Sequence, residues 1–441
     1  MYINRTIDKE LLDWKADKNR KVLLLRGARQ VGKTNSIREL GRHFKNLLEI
    51  NFEENLEIHK IFEGDLSPSE ICESLSLFYN VRIKEGETLL FFDEIQNCIP
   101  AIRSLRFFYE KMSGLHVVAA GSLLEFALEE IPSFGVGRIR SIFMYPLSFN
   151  EFLAGCGENM LLEKKNESSP ERPLHKILHD KLVHYLKKFI ILGGMPGVIS
   201  EYINTKDFNR CQKVLDDLVN SLHDDFAKYK KRVPVSRIRE VFDSVVLQSG
   251  NKFVYSKAAI QSNLKQVKET IDLLIMAGLV IPVMHTSANG LPLGAEVNPK
   301  KQKMLLLDTG IFQRILQLEI SASVFSGDFK AINKGNIAEL FAGLEMIKYQ
   351  TCYQKNKLYY WHRESKNSNA EVDYLLTKGN EIYPVEIKAG TRGSMQSMFL
   401  FLREKKKEKG IRASLENFSR YDMVDAYPLY AISNLILQKN T

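Results

Sequence analysis

The chain has 441 residues, a length that usually folds as two or three domains because one hydrophobic core seldom organises so many. Hydrophobic residues make up 44% and charged residues 26%, values that exclude a disordered or fibrous chain. The net charge of +9, from 62 Lys and Arg against 53 Asp and Glu, is too modest to establish nucleic acid as a partner by itself.

The distribution of apolar residues and cysteines predicts a cytoplasmic protein with no membrane partner. No apolar run approaches the roughly 18 residues that a membrane span needs. The N-terminal segment MYINRTIDKELLDWK lacks the continuous apolar core of a secretion signal. Because the five cysteines lie far apart without the spacing of a zinc site, we interpret them as reduced thiols.

Residues 1–205 are predicted to form the first domain, since short β-rich runs alternate there with helical patterns. This alternation indicates a parallel sheet covered by helices, an α/β fold. The strand candidates are KVLLLRG, LLEINF, TLLFFDEI, LHVVAAG and SIFMYPLSF. The polar segment 158–172 that follows them is interpreted as a surface loop or insertion.

Two further domains are predicted after residue 205. Residues 206–325 are mostly helical and end in two strands joined by a Gly- and Pro-rich turn, the outline of a winged helix. Residues 326–441 form a third, α/β unit with a helix at NKGNIAELFAGLEMIKY. Its strand candidates are KLYYWHR, EVDYLLTK, EIYPVEIKAG and AYPLYAI.

The first strand is followed by the pattern G-x-x-x-x-G-K-T and then by a helix, the setting that a phosphate-binding P-loop requires. Its backbone amides are predicted to bind the phosphates of ATP at the start of the helix. Lys33 would bridge the β- and γ-phosphates and Thr34 would ligate Mg²⁺. The loop consists of Gly27, Ala28, Arg29, Gln30, Val31, Gly32, Lys33 and Thr34.

Acidic and hydroxyl side chains at the ends of two later strands complete this predicted site. TLLFFDEIQ ends in Asp93, which would hold Mg²⁺, and Glu94, which would orient and polarise the attacking water. Ser122, after LHVVAAG, is either a polar sensor of the γ-phosphate or a helix N-cap. Arg138 is either a catalytic cation or a structural one. The predicted catalytic residues are Lys33, Glu94 and Ser122, and the predicted cofactors are ATP and Mg²⁺.

These motifs together resemble the prokaryotic AAA-type ATPases that carry a C-terminal domain of unknown function. The resemblance rests on GARQVGKT, LLFFDEIQ, VVAAGSLLEF, GRIRSIFMYPLSFNEFL and LGGMPGVI, and it spans nearly the whole chain. It implies similarity to archaeal and STAND-like signal-transducing ATPases, in which a Gly-x-Pro element contacts the nucleotide and relays its state to a winged helix. In this chain that element is Gly194, Met195 and Pro196, although any Gly/Pro cluster also predicts a turn.

The third domain contains an ordered series of polar residues that resembles the PD-(D/E)xK nuclease fold. Glu339 lies on a predicted helix, Asp373 on one strand, and Glu386 and Lys388 on one face of the next. In that fold the carboxylates hold Mg²⁺ and the lysine positions water. The resemblance therefore implies a second candidate metal site, for which a salt-bridged strand edge is the alternative.

Three functional hypotheses follow. The first is a regulatory ATPase whose nucleotide state changes contact with an unknown protein partner. The second is an ATP-gated nuclease that cleaves DNA or RNA with Asp373, Glu386 and Lys388. The third is a DNA-binding regulator that uses Lys265 and Lys268 on a winged-helix surface. The oligomeric state and the source of any arginine finger stay open.

Overall fold

The computed structural model describes residues 2–131, 135, 137–229, 232–259, 262–318, 334–364, 369–391 and 393–437. The chain divides into two compact units. The first comprises Met1–Tyr145, Met276–Gly278 and Thr351–Lys355, and the second comprises Pro146–Ile275, Leu279–Gln350 and Asn356–Thr441. The three predicted domain ranges stay a prediction, since compactness alone divides the chain after Tyr145, and the boundary predicted at residue 326 lies outside the described residues.

The first unit contains a parallel sheet with strand order β2-β3-β4-β1-β5 among its described residues. Its strands are β1 (Val22–Arg26), β2 (Asn46–Asn51), β3 (Thr88–Asp93), β4 (His116–Ala120) and β5 (Ile139–Phe143). Its helices are α1 (Thr6–Ala16), α2 (Lys33–Gly41), α3 (Pro68–Tyr79), α4 (Ile99–Lys111) and α5 (Leu124–Glu129). The predicted parallel sheet is confirmed, and four of its strands lie where they were predicted. The fifth prediction, SIFMYPLSF, overlaps β5 only at residues 141–143, and its last residue, Phe149, begins α6.

Aromatic packing fixes the end of β3, where the predicted acidic residues follow. Phe92 packs edge-on against Phe52, Phe62 and Phe108, with ring centroids 5.7, 5.6 and 5.9 Å away. All four rings are fully buried. Such pairs add to the stabilisation from area burial and prefer this geometry. The residue after Phe92 is Asp93, so the strand end that carries it is held on three sides.

The second unit is built on a mixed sheet whose described strands run in the order β12-β13-β11-β10-β9-β8-β6-β7. These strands are β6 (Val280–Thr286), β7 (Val297–Leu306), β8 (Leu358–His362), β9 (Glu371–Lys378), β10 (Glu381–Ile387), β11 (Gly410–Ser414), β12 (Ser419–Tyr421) and β13 (Val424–Pro428). The helices are α6 (Phe149–Gly155), α7 (Asn159–Asn166), α8 (Lys176–Leu192), α9 (Pro196–Thr205), α10 (Phe208–Asp225), α11 (Val235–Gln248), α12 (Leu264–Met276, ending in the first unit), α13 (Thr309–Ile315), α14 (Lys334–Lys348), α15 (Gln396–Lys405) and α16 (Ile432–Leu437).

The hairpin β6–β7, which we expected to complete a separate winged helix, instead forms one edge of this sheet. Strand β6 pairs in parallel with β8, through Val283 and Leu358 among others. Because a paired strand satisfies backbone groups that a free edge would expose, the hairpin is an integral part of the sheet. The helical pattern of α12 predicts core positions for Ile271, Leu274 and Ile275. The first two are buried, whereas Ile275 is only half-buried.

The polar segment 158–172 is not wholly a loop, because it contains α7. Leu161 and Lys165 lie one helical turn apart and both are buried. The Lys165 Nζ donates to Ser433 Oγ at 2.7 Å and to Asn434 Oδ1 at 3.1 Å. Because the segment is rich in lysine and glutamate, its sequence resembles a solvated loop and does not reveal that Lys165 is buried. Across the described ranges, no helix combines the length and hydropathy that crossing a membrane requires.

The Gly193–Gly194 turn that precedes α9 is clamped by Asp308, a carboxylate only 1% exposed. Its Oδ2 accepts from the Gly194 amide at 2.6 Å, and its Oδ1 accepts from the Ile311 amide at 3.0 Å, which caps α13. A Cβ on Gly193 would lie 2.0 Å from Asp308 Oδ1, and one on Gly194 would lie 2.3 Å from the Leu147 carbonyl oxygen. The glycines are therefore needed for close packing.

We expect Asp308→Ala to destabilise the second unit by about 2–4 kcal/mol, because two buried amides lose their acceptor. The matched control is Asp207→Ala, which removes a half-exposed cap of α10 that accepts from the Asn209 and Arg210 amides. It should cost about 1 kcal/mol. Denaturant unfolding followed by far-UV circular dichroism measures both. Equal losses in the two variants would contradict the clamping role of Asp308.

Candidate nucleotide-binding site

The loop between β1 and α2 adopts a backbone that its two glycines permit. Gly32 has φ 99° and forms the N-cap of α2, and Gly27 has φ 150°. A Cβ on Gly27 would lie 2.2 Å from the Met144 carbonyl oxygen, so no other residue fits there. A Cβ on Gly278 would lie 3.2 Å from the Ala28 Cβ, so this residue also packs closely on the loop. The loop is thus confined against its own unit.

Lys33, the first residue of α2, is only 7% exposed. Its Nζ donates to the carbonyl oxygens of Gly27 at 2.9 Å and Ala28 at 2.8 Å. Burial lowers the pKa of Lys33 to about 8, although the nearby charges of Glu94 and Asp93 oppose that change. The ammonium group therefore lies within the loop, where it can neutralise phosphate charge.

Thr34 and Asp93 bring two oxygen donors together. The Thr34 hydroxyl donates to Asp93 Oδ2 at 2.8 Å, and Asp93 Oδ1 accepts from the Glu94 amide at 3.0 Å. Burial raises the pKa of Asp93, and the hydrogen bond from Thr34 opposes that rise. Hydroxyl and carboxylate oxygens suit Mg²⁺, which needs hard oxygen ligands. The residues present therefore fit the nucleotide-bound Mg²⁺ expected from the sequence.

Glu94 is held in a strained backbone conformation and by two side chains. Its φ of 48° is left-handed, which costs a non-glycine residue free energy and often marks a functional position. Its Oε2 accepts from Gln96 Nε2 at 2.6 Å and from Ser122 Oγ at 3.1 Å. Arg29 of the loop donates its Nε–H to Ser122 Oγ at 3.3 Å. The predicted residues Glu94 and Ser122 thus form one hydrogen-bonded group.

Sequence reasoning missed Gln96, which orients the Glu94 carboxylate. A signal for it existed, because glutamine follows Glu94 by two residues in the same motif. The structure also places Gly121 directly beside the Gln96 side chain. A Cβ on Gly121 would lie 2.1 Å from Gln96 Oε1, so a larger residue before Ser122 would displace the Gln96 side chain.

The two other predicted residues, Arg138 and Pro196, belong to other segments of the chain. Arg138 forms an ion pair with Glu110 of α4, and its side chain is 46% exposed, which favours the structural alternative. Pro196 is the first residue of α9 in the second unit, where the chain turns after the glycines. Its contact with a nucleotide stays a prediction.

The C-terminal carboxylates converge in the second unit. The Ile387 amide donates to Asp373 Oδ2 at 2.7 Å, and Lys388 Nζ donates to Glu386 Oε1 at 2.7 Å. Glu339 on α14 pairs with a residue that sequence reasoning missed, Lys303 on β7, at 2.6 Å. Among the described residues, no group of three or more His, Cys, Asp or Glu side chains is arranged to hold a metal ion.

Three family models match successive parts of the chain. A model described as an AAA domain matches residues 19–153. Two models described as domains of unknown function, DUF8612 and DUF4143, match residues 183–322 and 334–432. A search of the curated proteins found no match.

Several solved structures are similar to the chain. A Walker-type ATPase of Pyrococcus abyssi has 15% identity and a TM-score of 0.47, and the match covers 71% of this chain and 96% of that one. The Aeropyrum pernix ORC1 protein, solved in complex with DNA, has 12% identity and a TM-score of 0.30, with 73% and 95% covered. A STAND protein of Pyrococcus horikoshii with a tetratricopeptide repeat sensor has 11% identity and a TM-score of 0.26, with 78% and 48% covered.

The AAA match includes the whole loop, the Thr34–Asp93 pair and the five-stranded parallel sheet. Residues 19–153 are therefore similar to an AAA domain and carry a P-loop on a parallel α/β sheet.

Proposed function

We propose that the protein binds ATP with Mg²⁺, hydrolyses it, and uses the change in nucleotide state as a regulatory switch. The observation that carries the proposal is the Thr34–Asp93 hydrogen bond of 2.8 Å beside the buried Lys33. In P-loop ATPases a hydroxyl and an aspartate at these motif positions share the Mg²⁺ shell while the lysine contacts the phosphates. All three groups lie at the carboxyl ends of β1 and β3, where ligands of open α/β sheets bind.

Each residue has a distinct task in this proposal. The amides of the loop and of the α2 N-terminus bind phosphate oxygens, and Lys33 balances the charge of the β- and γ-phosphates. Bound Mg²⁺ supplies positive charge that stabilises the phosphates during transfer. The Glu94 carboxylate accepts a hydrogen bond from the attacking water and polarises it. Gln96 and Ser122 fix the direction in which that carboxylate points.

A chain of contacts from the loop to the end of the first unit supports the switch. Arg5 donates to the carbonyl oxygens of Val31 in the loop at 2.9 Å and of Tyr145 at 2.7 Å. The Met144 amide donates to the Arg26 carbonyl oxygen at 2.8 Å. A displacement of the loop would therefore pull on the backbone at residues 144–145.

The residues that follow are fixed within the second unit. The Leu147 amide donates to the Gly194 carbonyl oxygen at 2.7 Å, and the Leu147 carbonyl oxygen accepts from Lys348 Nζ at 2.8 Å. The Phe149 amide donates to Glu345 Oε2 at 3.0 Å. Residues 145–147 thus connect a loop-bonded segment directly to the Gly-x-Pro turn and to α14. We propose that this short connection transmits the nucleotide state.

The two alternative functions receive less support. DNA binding through α12 would use Lys265 and Lys268, but Lys265 lies 3.9 Å from Glu269, and Lys268 lies over the Tyr255 ring at 5.7 Å. Phosphate contacts dominate DNA affinity, and two lysines supply few of them. Nuclease activity requires a metal among the C-terminal carboxylates, where Lys303 forms ion pairs with three of them.

We expect Glu94→Gln to leave Mg²⁺–ATP binding intact and to lower the hydrolysis rate by about 10²- to 10⁴-fold, the usual contribution of a general base. The amide has similar size but cannot accept the proton of the attacking water. Phosphate release measures hydrolysis and calorimetry measures binding. The control is Glu73→Gln on the exposed face of α3, which should hydrolyse ATP at the wild-type rate. Unchanged turnover in Glu94→Gln would contradict the assigned role.

We expect ATP affinity to fall as the pH rises through about 8, the lowered pKa of Lys33. Above that value a growing fraction of Lys33 is neutral before binding, so association must take up a proton. Calorimetry at a pH of about 8.5 in two buffers of different ionisation enthalpy measures this uptake. In Lys33→Arg, where the charge does not titrate, uptake should vanish. Equal binding heats in both buffers for the wild type would disprove the expectation.

For the switch, we expect a slowly hydrolysed ATP analogue with Mg²⁺ to slow amide exchange in residues 147–152 and 194–199. The bound loop would hold Met144 and Tyr145 more rigidly, and the connected amides would open less often. Hydrogen exchange with mass spectrometry measures this effect. Peptides from β11 and β13 serve as an internal control, and Lys33→Ala should show no change anywhere. Slowed exchange confined to residues 22–145 would refute transmission.

A further inference from the structure

The ammonium group of Lys303 lies in the centre of the C-terminal carboxylates. Lys303 is on β7 and its side chain is 0% exposed. Its Nζ lies 2.6 Å from Glu339 Oε1 on α14, 2.5 Å from Glu371 Oε1 on β9, and 3.9 Å from Asp373 Oδ1 on the same strand. Two elements that are distant in sequence from β7 therefore direct acidic side chains at one buried cation. A fully buried lysine is rare unless it is paired in this way.

Further polar groups face the same centre. Glu386 of β10 is 6% exposed, and its Oε2 is a buried atom with no hydrogen-bond partner among the described residues. Its other oxygen accepts from Lys388. The Tyr360 hydroxyl is also buried without such a partner in the described part of the chain, and Lys303 Nζ lies 5.2 Å from the Tyr360 ring centroid. The centre is thus a largely buried group of charges, in which Glu371, with 28% of its side chain exposed, lies at the margin.

The charges of this centre depend on Lys303. Burial raises the pKa of Glu339 to about 8 and that of Glu386 to about 7, while the charge of Lys303 opposes both rises. Burial alone would lower the pKa of Lys303, but Glu339, Asp373 and Glu371 together raise it above its usual value. The lysine is therefore a permanent cation, and the carboxylates keep it charged.

The position of Lys303 is incompatible with a divalent ion bound by the same oxygens. Mg²⁺ requires oxygen ligands at about 2.0–2.1 Å in octahedral geometry. An ammonium 2.5–2.6 Å from Glu371 and Glu339 already uses the inward-facing oxygens of both. A second cation nearby would be repelled by the first. Metal binding would therefore require that Lys303 leave a fully buried position.

We propose that Lys303 is the resident cation of this centre and neutralises the carboxylates in place of a divalent metal. The C-terminal α/β region then needs no metal to fold, and it does not cleave phosphodiester bonds by a metal-dependent reaction. This inference is independent of the ATPase proposal, because every residue in it lies in the second unit. The nuclease-like pattern of acidic residues and Lys388 in the C-terminal α/β region is then a charge cluster that supports the fold.

The test compares Mn²⁺ binding by the nucleotide-free wild-type chain and by Lys303→Met/Glu371→Gln. This double variant removes one buried positive and one negative charge, which limits the folding cost, and it leaves Glu339, Asp373 and Glu386 as ligands. Electron paramagnetic resonance of free Mn²⁺ measures affinity, and thermal unfolding with and without Mn²⁺ measures stabilisation. We expect the double variant to bind Mn²⁺ about 10- to 100-fold more tightly than the wild type, a range typical of changes around metal ligands.

Two controls locate the effect. Lys301→Met removes a neighbouring lysine of β7 that pairs with Glu364 instead, and it should bind Mn²⁺ no better than the wild type. Adding Asp373→Asn to the double variant should abolish the gained affinity. The wild type and its Asp373→Asn variant should show the same weak Mn²⁺ binding and no cleavage of plasmid DNA or single-stranded RNA.

Two results would overturn the proposal. The first is Mn²⁺ binding by the wild type that Asp373→Asn removes, or cleavage with the same dependence. This arm needs no Lys303 variant, so it decides the question even if the double variant does not fold. The second is a folded double variant with wild-type Mn²⁺ affinity. Neither result would affect ATP hydrolysis by the first unit, so failure of this inference is distinguishable from failure of the ATPase proposal.

Discussion

The close approach of Gly27 to the Met144 carbonyl oxygen is the constraint on which the rest of the structure depends. A side chain at residue 27 would collide at 2.2 Å, so the loop that begins there is pressed against the end of β5. The same stretch of backbone bonds to β1 through the Met144 amide and to Arg5 through Tyr145. The phosphate loop and the end of the five-stranded sheet are therefore joined by direct backbone contacts within the first unit. The switch that we propose depends on these contacts.

Three buried lysines show how partners decide what burial does to a charge. Burial lowers the pKa of Lys33 to about 8, and its closest acceptors are two carbonyl oxygens. Burial likewise lowers the pKa of Lys165 to about 7, where a hydroxyl and an amide oxygen accept from it. Lys303 contacts carboxylates instead, and its pKa rises. Neutral acceptors do not compensate a buried ammonium group for its loss of hydration, whereas carboxylates do. Phosphate oxygens would supply to Lys33 the negative charge that its carbonyl partners lack, whereas the carboxylates around Lys303 already supply it.

Much of the P-loop domain could be predicted from the sequence because its signals are local. A strand, a glycine-rich loop and a helix follow each other within residues 22–41, and Asp93 ends a buried strand in the same way. The sequence located β1, β3 and β4 because these buried parallel strands are continuous apolar runs. Strand β5 is mostly only partly buried, and its prediction was placed too late in the chain. Strand β11 was missed because GIRAS has few apolar residues and follows a run of charges, although every residue in it is buried. Its stability comes from pairing with β10 and β13, which is not a local property.

Lys303 shows why the arrangement of the C-terminal carboxylates could not be predicted from local sequence signals. Its strand, KKQKMLLL, suggests a solvated lysine beside an apolar run, and the two acids nearest in sequence, Glu296 and Asp308, bind backbone amides elsewhere. The partners Glu339 and Glu371 are 36 and 68 positions away by residue number, brought in by α14 and β9. The series Glu339, Asp373, Glu386 and Lys388 fits a nuclease pattern only if the Lys303 side chain is left out of account. Carboxylates that converge in a core require a counter-ion. A sequence motif identifies the acidic residues but not whether their counter-ion is a metal or a lysine. In this chain a distant strand supplies it, so the motif and its chemistry must be assigned separately.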